Sequence, residues 1–277
     1  MVDKKAELAA SQIKTATTSA NKTERDANAA DLAALVKASG SSQVLVSYTI
    51  LDKLKKAAED KKNLVAKEGA HACYAALAVA LTGAPLVGEP ALLRALPVVL
   101  AEQGDKSAPV KAAADAAAKA LIAYVEFLAN NHMTIAQPYL CKYLPAIFNA
   151  CGDKKSSKDL KAVCAAASKN ICKHLSLNGL RDIVQTLINA QDSFQSKTGT
   201  RLAALSAIAT FSETAPEQLG FALTQIVPEI SKSVVDTDPE VCKVGEAALT
   251  AACDVIGNRD LEHMTGPIVR SVTHPDE

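Results

Sequence analysis

One grammar recurs along this 277-residue chain, and it restricts the fold more than any other feature. In "LTQIVPEISKSVVDTDPEVCKVGEAALTAACDVIG", an apolar helix with an internal proline (Pro228) leads to an acidic turn. Pro239 then opens a second helix at a position where the backbone amide has no partner to lose. "RALPVVLAEQGDKSAPVKAAADAAAKALIAYV" repeats the pattern with Pro97 and a Gly-Asp turn, and "CKYLPAIFNACGDKKSSKDLKAVCAAASKNICKHL" repeats it with Pro145. "MTGPIVRSVTHPDE" starts it again at Pro267. The prolines are 48, 83 and 39 residues apart, and the long gap holds a copy without proline, "NGLRDIVQTLINAQDSFQSKTGTRLAALSAIATF". An earlier copy is "QVLVSYTILDKLKKAAEDKKNLVAKEGAHACYAALAVAL".

A period of about 41 residues is the spacing of HEAT or armadillo arrays, in which each helix pair covers the apolar face of the next. We therefore expect an all-α HEAT-repeat solenoid of antiparallel helix pairs in a right-handed superhelical array. Pairs are expected at 43–82, 89–126, 135–175, 178–211 and 217–257. These make about five repeats over 43–257, with capping helices in 1–42. Residues 258–277 read as an incomplete further repeat, as expected of a fragment of a longer protein. Aromatic residues are only 4% and tryptophan is absent, which suits thin helix–helix packing over a β-sandwich.

No stretch is expected to reach the roughly 18 uncharged apolar residues of a membrane span. The start, "MVDKKAELAASQIK", lacks the apolar core of a signal peptide. Cys73, Cys141, Cys151, Cys164, Cys172, Cys242 and Cys253 are odd in number and scattered in alanine-rich patterns, which fits reduced, buried thiols in a cytoplasmic protein. The net charge of zero conceals an asymmetry. Residues 139–201 hold ten lysines and arginines against four acids, and 202–277 hold four against twelve.

"QPYLCKYLPAIFNACGDKKSSKDLKAVCAAAS" and "IVPEISKSVVDTDPEVCKVGEAALTAACDVIGNRDLEHMTGPIVRSV" resemble the N-terminal HEAT region of the translation elongation factor 3 family. The Asp-Thr turn, the Glu240-Val241 entry to the second helix and the "GNRDLE" link carry the likeness, which runs from about 135 to 273. The resemblance implies a ribosome-dependent ATPase whose HEAT array binds the ribosome and whose two ATP-binding cassettes lie downstream. It also implies help with release of deacylated tRNA from the exit site. This chain has no G-x-x-x-x-G-K-[ST] loop, so it is not expected to be an enzyme by itself. No cofactor is expected in it, since ATP and magnesium belong to the cassettes. Cys242 stands where HEAT repeats often place a basic residue, which argues against a continuous turn-to-turn ladder.

The strongest candidate interface is the basic helix over 156–175, capped by Ser156 or Ser157 with Asp159 near its positive end. At 100° per residue, Lys158, Lys161, Lys169 and Lys173 fall within an arc of about 120°. Leu160, Val163, Ala167, Ile171 and Leu175 lie opposite. Lys154, Lys155 and Arg181 add charge beside them. Together with the resemblance, these seven residues are read as phosphate contacts to rRNA, binding without base readout and weakening with salt. The same lysines also fit an ordinary solvated helix face. Tyr139, Tyr143 and Phe148 are expected to pack rather than to stack bases.

The "LDKLKKAAEDKK" segment, with Lys53, Lys55, Lys56, Lys61 and Lys62 among Asp52, Glu59 and Asp60, reads as helix-face ion pairs. Cys172 and His174 diverge by about 200° on a helix, as do His71 and Cys73, so neither pair suggests a metal or catalytic site. The acidic cluster of Asp236, Asp238 and Glu240 either keeps the surface soluble, faces a basic ribosomal protein or repels RNA. The expected partner is the ribosome, through rRNA and ribosomal proteins, with no membrane and a monomeric chain. The rival reading is a HEAT protein–protein scaffold without RNA contact, like the related segment of a kinase-activating translation regulator.

Overall fold

Short polar segments turn the chain back on itself, and alanine-rich runs between them form helices. A computed structural model describes residues 4–88, 90–192, 196–255, 266, 269 and 270. These residues form α-helices without strands, in two compact units. The expected all-α fold of helix pairs is what the chain adopts.

The first unit comprises the residues up to His132 together with Lys155–Val163. It opens with α1 (Lys4–Thr18) and α2 (Lys22–Ser39). Asn21 caps α2 by accepting from the Thr23 amide at 3.0 Å. Gly40 ends α2 at φ 67°, where a side chain would be strained. The first helix expected after residue 43 is split into α3 (Gln43–Ser47) and α4 (Ile50–Ala58). Between them Thr49 adopts φ 51°, a left-handed conformation that costs a β-branched residue on the order of 1–3 kcal/mol.

The next helix, α5 (Leu64–Thr82), packs against α1, α2 and α4. Gly69 lets it approach α1 so closely that any side chain there would overlap the Ala16 carbonyl. Contrary to the sequence expectation, α5 is long and apolar enough to cross a membrane, but 56% of its apolar window is buried. It also holds Lys67 and Glu68 in ion pairs, and it serves as the unit's core helix. After α6 (Pro85–Gly88) and α7 (Ala95–Ala101) comes α8 (Ala108–Gly152), two helices meeting at a kink within 126–135, where the sequence predicted a break. His132 interrupts α8 with a non-helical φ of −136° and ψ of 27°. Tyr124 on α8 is buried and donates to the Pro85 carbonyl at 2.9 Å.

The second unit comprises Met133–Lys154 and the chain from Cys164 onward. It contains the rest of α8, the later part of α9 (Lys158–His174), and α10 (Leu177–Gln191), α11 (Thr198–Thr214), α12 (Pro216–Val234) and α13 (Pro239–Asp254). Gln137 accepts from the Ser176 amide at 2.9 Å, which satisfies an orphan donor at the start of α10. Gly199 fits against the Cys151 carbonyl with no room for a side chain. Pro239 sits in the first turn of α13, and Asp238 caps that helix by accepting from the Glu240 amide at 3.0 Å. Leu219, Leu223, Ile226 and Ile230 of α12 are at most 1% exposed. Burial of each such side chain favours folding by roughly 1.5–3 kcal/mol. The incomplete repeat expected at 258–277 lies outside the described residues apart from 266, 269 and 270.

Candidate nucleic-acid and protein interface

Helix α9 has the two-sided character its periodicity predicts. Leu160, Ala167, Ile171 and Leu175 are buried, and Val163 is half-buried. Lys158, Lys169 and Lys173 are exposed, whereas Lys161 is half-buried. Ser157, not Ser156, provides the cap. Its Oγ accepts from the Leu160 amide at 3.1 Å and donates to Asp115 Oδ1 at 2.6 Å, while Ser156 is buried. Asp159 is exposed in the first turn and lies 3.7 Å from Lys119 Nζ. Lys154 is exposed. The stem of Lys155, also exposed, runs over Gly104 in the turn before α8. Arg181 is exposed on α10, a different helix from the α9 lysines.

The aromatic expectation is met at Phe148, which is 1% exposed, and fails at Tyr139, which is 37% exposed. Tyr143 is half-buried, and Lys142 Nζ stands 5.9 Å from its ring centre. Sequence reasoning missed a further aromatic. Phe221 on α12 is 89% exposed beside a groove of about 640 Å³ between α10 and α12. A helical wheel contains the signal, because Phe221 lies about 200° from the buried Leu219.

The cation ladder doubted at Cys242 exists elsewhere in the chain. The fourth residues of α2, α5 and α11 are Arg25, Lys67 and Arg201, each buried and each paired with an acid 35–43 residues later. Arg25 binds Glu68 at 2.6 Å and also donates to the carbonyls of Ser19 and Ala20 at the end of α1. Lys67 binds Glu102 and Asp105, both at 2.6 Å. Burial opposes the charge on Lys67, but the hydrogen bonds to Asp105 and Glu102 outweigh it and leave its pKa raised. Lys67 and the Ser107 amide hold the Asp105 pKa below its usual value.

Arg201 pairs with Asp236, whose other oxygen accepts from the Asp238 amide at 2.9 Å. At least two of the acids in the acidic turn are therefore structural: Asp236 anchors a buried arginine and Asp238 caps a helix. In α13 the fourth residue is Cys242, whose thiol donates to the Asp236 carbonyl at 2.9 Å. The "LDKLKKAAEDKK" segment forms one 3.9 Å pair, Lys55 with Glu59, and Lys53 donates to the Tyr48 carbonyl at 3.2 Å.

Cys73, Cys141, Cys151, Cys164 and Cys172 are buried, Cys242 is half-buried, and Cys253 is exposed, contrary to the expectation of general burial. Burial pushes the Cys141 thiol up to about 11 and that of Cys73 up to about 12, which makes both poor nucleophiles. Cys172 is buried and His174 exposed, so they diverge as expected. His71 and Cys73 are both fully buried, because α5 is covered on more than one face. No set of three histidine, cysteine or acidic side chains converges on a common point among the described residues.

Residues 25–134 and 122–249 match the model of the EF3 N-terminal HEAT repeat. The chain belongs to that family. Elongation factor 3 of Gonapodya prolifera is 27% identical over 276 residues, covering 100% of this chain and 20% of that protein. Elongation factor 3 of Phytophthora infestans is 30% identical over 164 residues, covering 59% and 16%. Elongation factor 3A of Saccharomyces cerevisiae is 24% identical over 148 residues, covering 53% and 14%. The chain thus spans a fifth or less of the length of these relatives.

Among solved structures, a computationally designed armadillo repeat protein for modular peptide recognition aligns over 89% of this chain and 98% of its own. Its identity is 19% and its TM-score 0.42. Kap121p aligns over 99% of this chain and 27% of its own, at 14% identity and TM-score 0.43.

Proposed function

We propose that this chain is the ribosome-docking HEAT region of an elongation-factor-3-like translation factor. Residues 1–42 would form its cap and 43–257 its repeats. The family match across 25–249 carries the reading, and the exposed lysines of α9 supply its chemistry. Lys154, Lys155, Lys158, Lys161, Lys169 and Lys173 would contact rRNA phosphates. Arg181, the seventh residue read as a contact, stands on α10 and lines a different groove, so it is left out of this set. Ammonium groups on a helix face act as point charges that position a phosphate backbone without reading its sequence. ATP hydrolysis would reside in cassettes outside this chain, and the working compartment would be the cytoplasm.

Co-sedimentation with purified ribosomes across a salt series tests the reading. Each phosphate contact released on dissociation adds roughly 0.7–0.9 to the slope of log affinity against log salt. Several lysine contacts therefore predict a steep loss of binding with salt. Binding that is flat with salt, or absent at low salt, would remove the electrostatic basis of the proposal.

A further inference from the structure

The groove between α10 and α12 belongs to neither the α9 lysines nor the buried ladder. Leu180, Val184 and Ala222 supply its apolar lining, and Phe221 stands beside them 89% exposed. Arg181 comes from the α10 wall and Glu217 from the α12 wall, both exposed, and they form no ion pair with one another. Gln218 and Gln225 also line the groove. An exposed phenylalanine over an apolar depression is the anatomy of a docking site.

We infer that this groove binds a segment of another protein. The segment carries one large apolar side chain with a carboxylate on one flank and a lysine or arginine on the other. The apolar side chain fills the depression against Phe221, the carboxylate meets Arg181, and the cation meets Glu217. Gln218 and Gln225 offer donors and acceptors to the segment's peptide groups. Charge argues for a protein over RNA here. Over residues 202–255 the chain has eight acids against two lysines, and the groove itself offers one arginine where a phosphate backbone calls for several cations.

The test is peptide display against the full chain, followed by fluorescence anisotropy of the selected peptides. The expected consensus is a large apolar residue flanked by opposite charges. Phe221→Ser should weaken binding tenfold or more and, being a surface change, leave the helical circular dichroism intact. Glu217→Arg should shift the preference of the cationic flank to an acid. No consensus, or selected peptides that bind Phe221→Ser as tightly, would overturn the inference. A ten-nucleotide oligouridylate whose binding is lost in Phe221→Ser would overturn it in favour of RNA. Ribosome sedimentation of an α9 lysine variant is read separately, so failure of one proposal does not conceal failure of the other.

Discussion

His71 should make the stability of this protein fall in mild acid. Its side chain is fully buried on α5, and neither ring nitrogen has a hydrogen-bond partner. Tyr74 lies beside it, with ring centres 6.5 Å apart. Burial lowers the His71 pKa from 6.5 to about 4, and the Lys67 charge one turn away adds to the effect while Asp105 partly opposes it. Above pH 6.5 both folded and unfolded chains hold a neutral imidazole, and the group costs nothing. Between pH 6.5 and 4 the unfolded chain takes up a proton that the folded one refuses, so stability declines as pH falls. At about 1.4 kcal/mol per pH unit, the loss is about 1.4 kcal/mol at pH 5.5 and approaches about 3 kcal/mol near pH 4. Urea unfolding of the wild type and of His71→Leu at pH 7.5, 6.5, 5.5 and 4.5 isolates the effect. The wild type should lose that much more than the variant over the series. Parallel pH profiles for the two proteins would refute the buried neutral histidine.

Three further outcomes follow from the packing. Arg201→Met leaves Asp236 buried without its cation and should cost about 3–5 kcal/mol in urea unfolding, with much of this recovered when Asp236→Asn is added. Asp238→Ala removes the cap of α13 and should cost about 1 kcal/mol, read as a lower melting temperature. In the folded protein a thiol reagent should label Cys253 first and leave Cys73, Cys141 and Cys172 unreacted until denaturant is added.

The features legible in the sequence are those set by local chemistry. Pro239 marked the start of α13, because the missing proline amide acts within one turn, whereas the cap at Asp238 was read only as part of a surface acidic cluster. The buried and exposed faces of α9 followed from helical periodicity, except that Lys161 is half-buried. The ladder was not legible, because Lys67 and Arg201 find their partners 38 and 35 residues away, and only the stacking of helices brings them together. In the run "LGFALTQIV", Phe221 looks like one more core residue until each position is assigned an angle. Tyr139 lies at the margin of its helix's buried stripe, where periodicity alone does not decide exposure. The kink inside α8 was legible at "NNHM", where His132 leaves helical geometry between two helices.

The central claim is that the chain docks on the ribosome through the lysines of α9, and charge reversal at those residues tests it most directly. Lys158, Lys161, Lys169 and Lys173 would be changed together to glutamate, helical content confirmed by circular dichroism, and sedimentation with ribosomes compared with the wild type at low salt. The account predicts that a folded variant stays in the supernatant while the wild type pellets with ribosomes. A folded variant that pellets as the wild type does would contradict it.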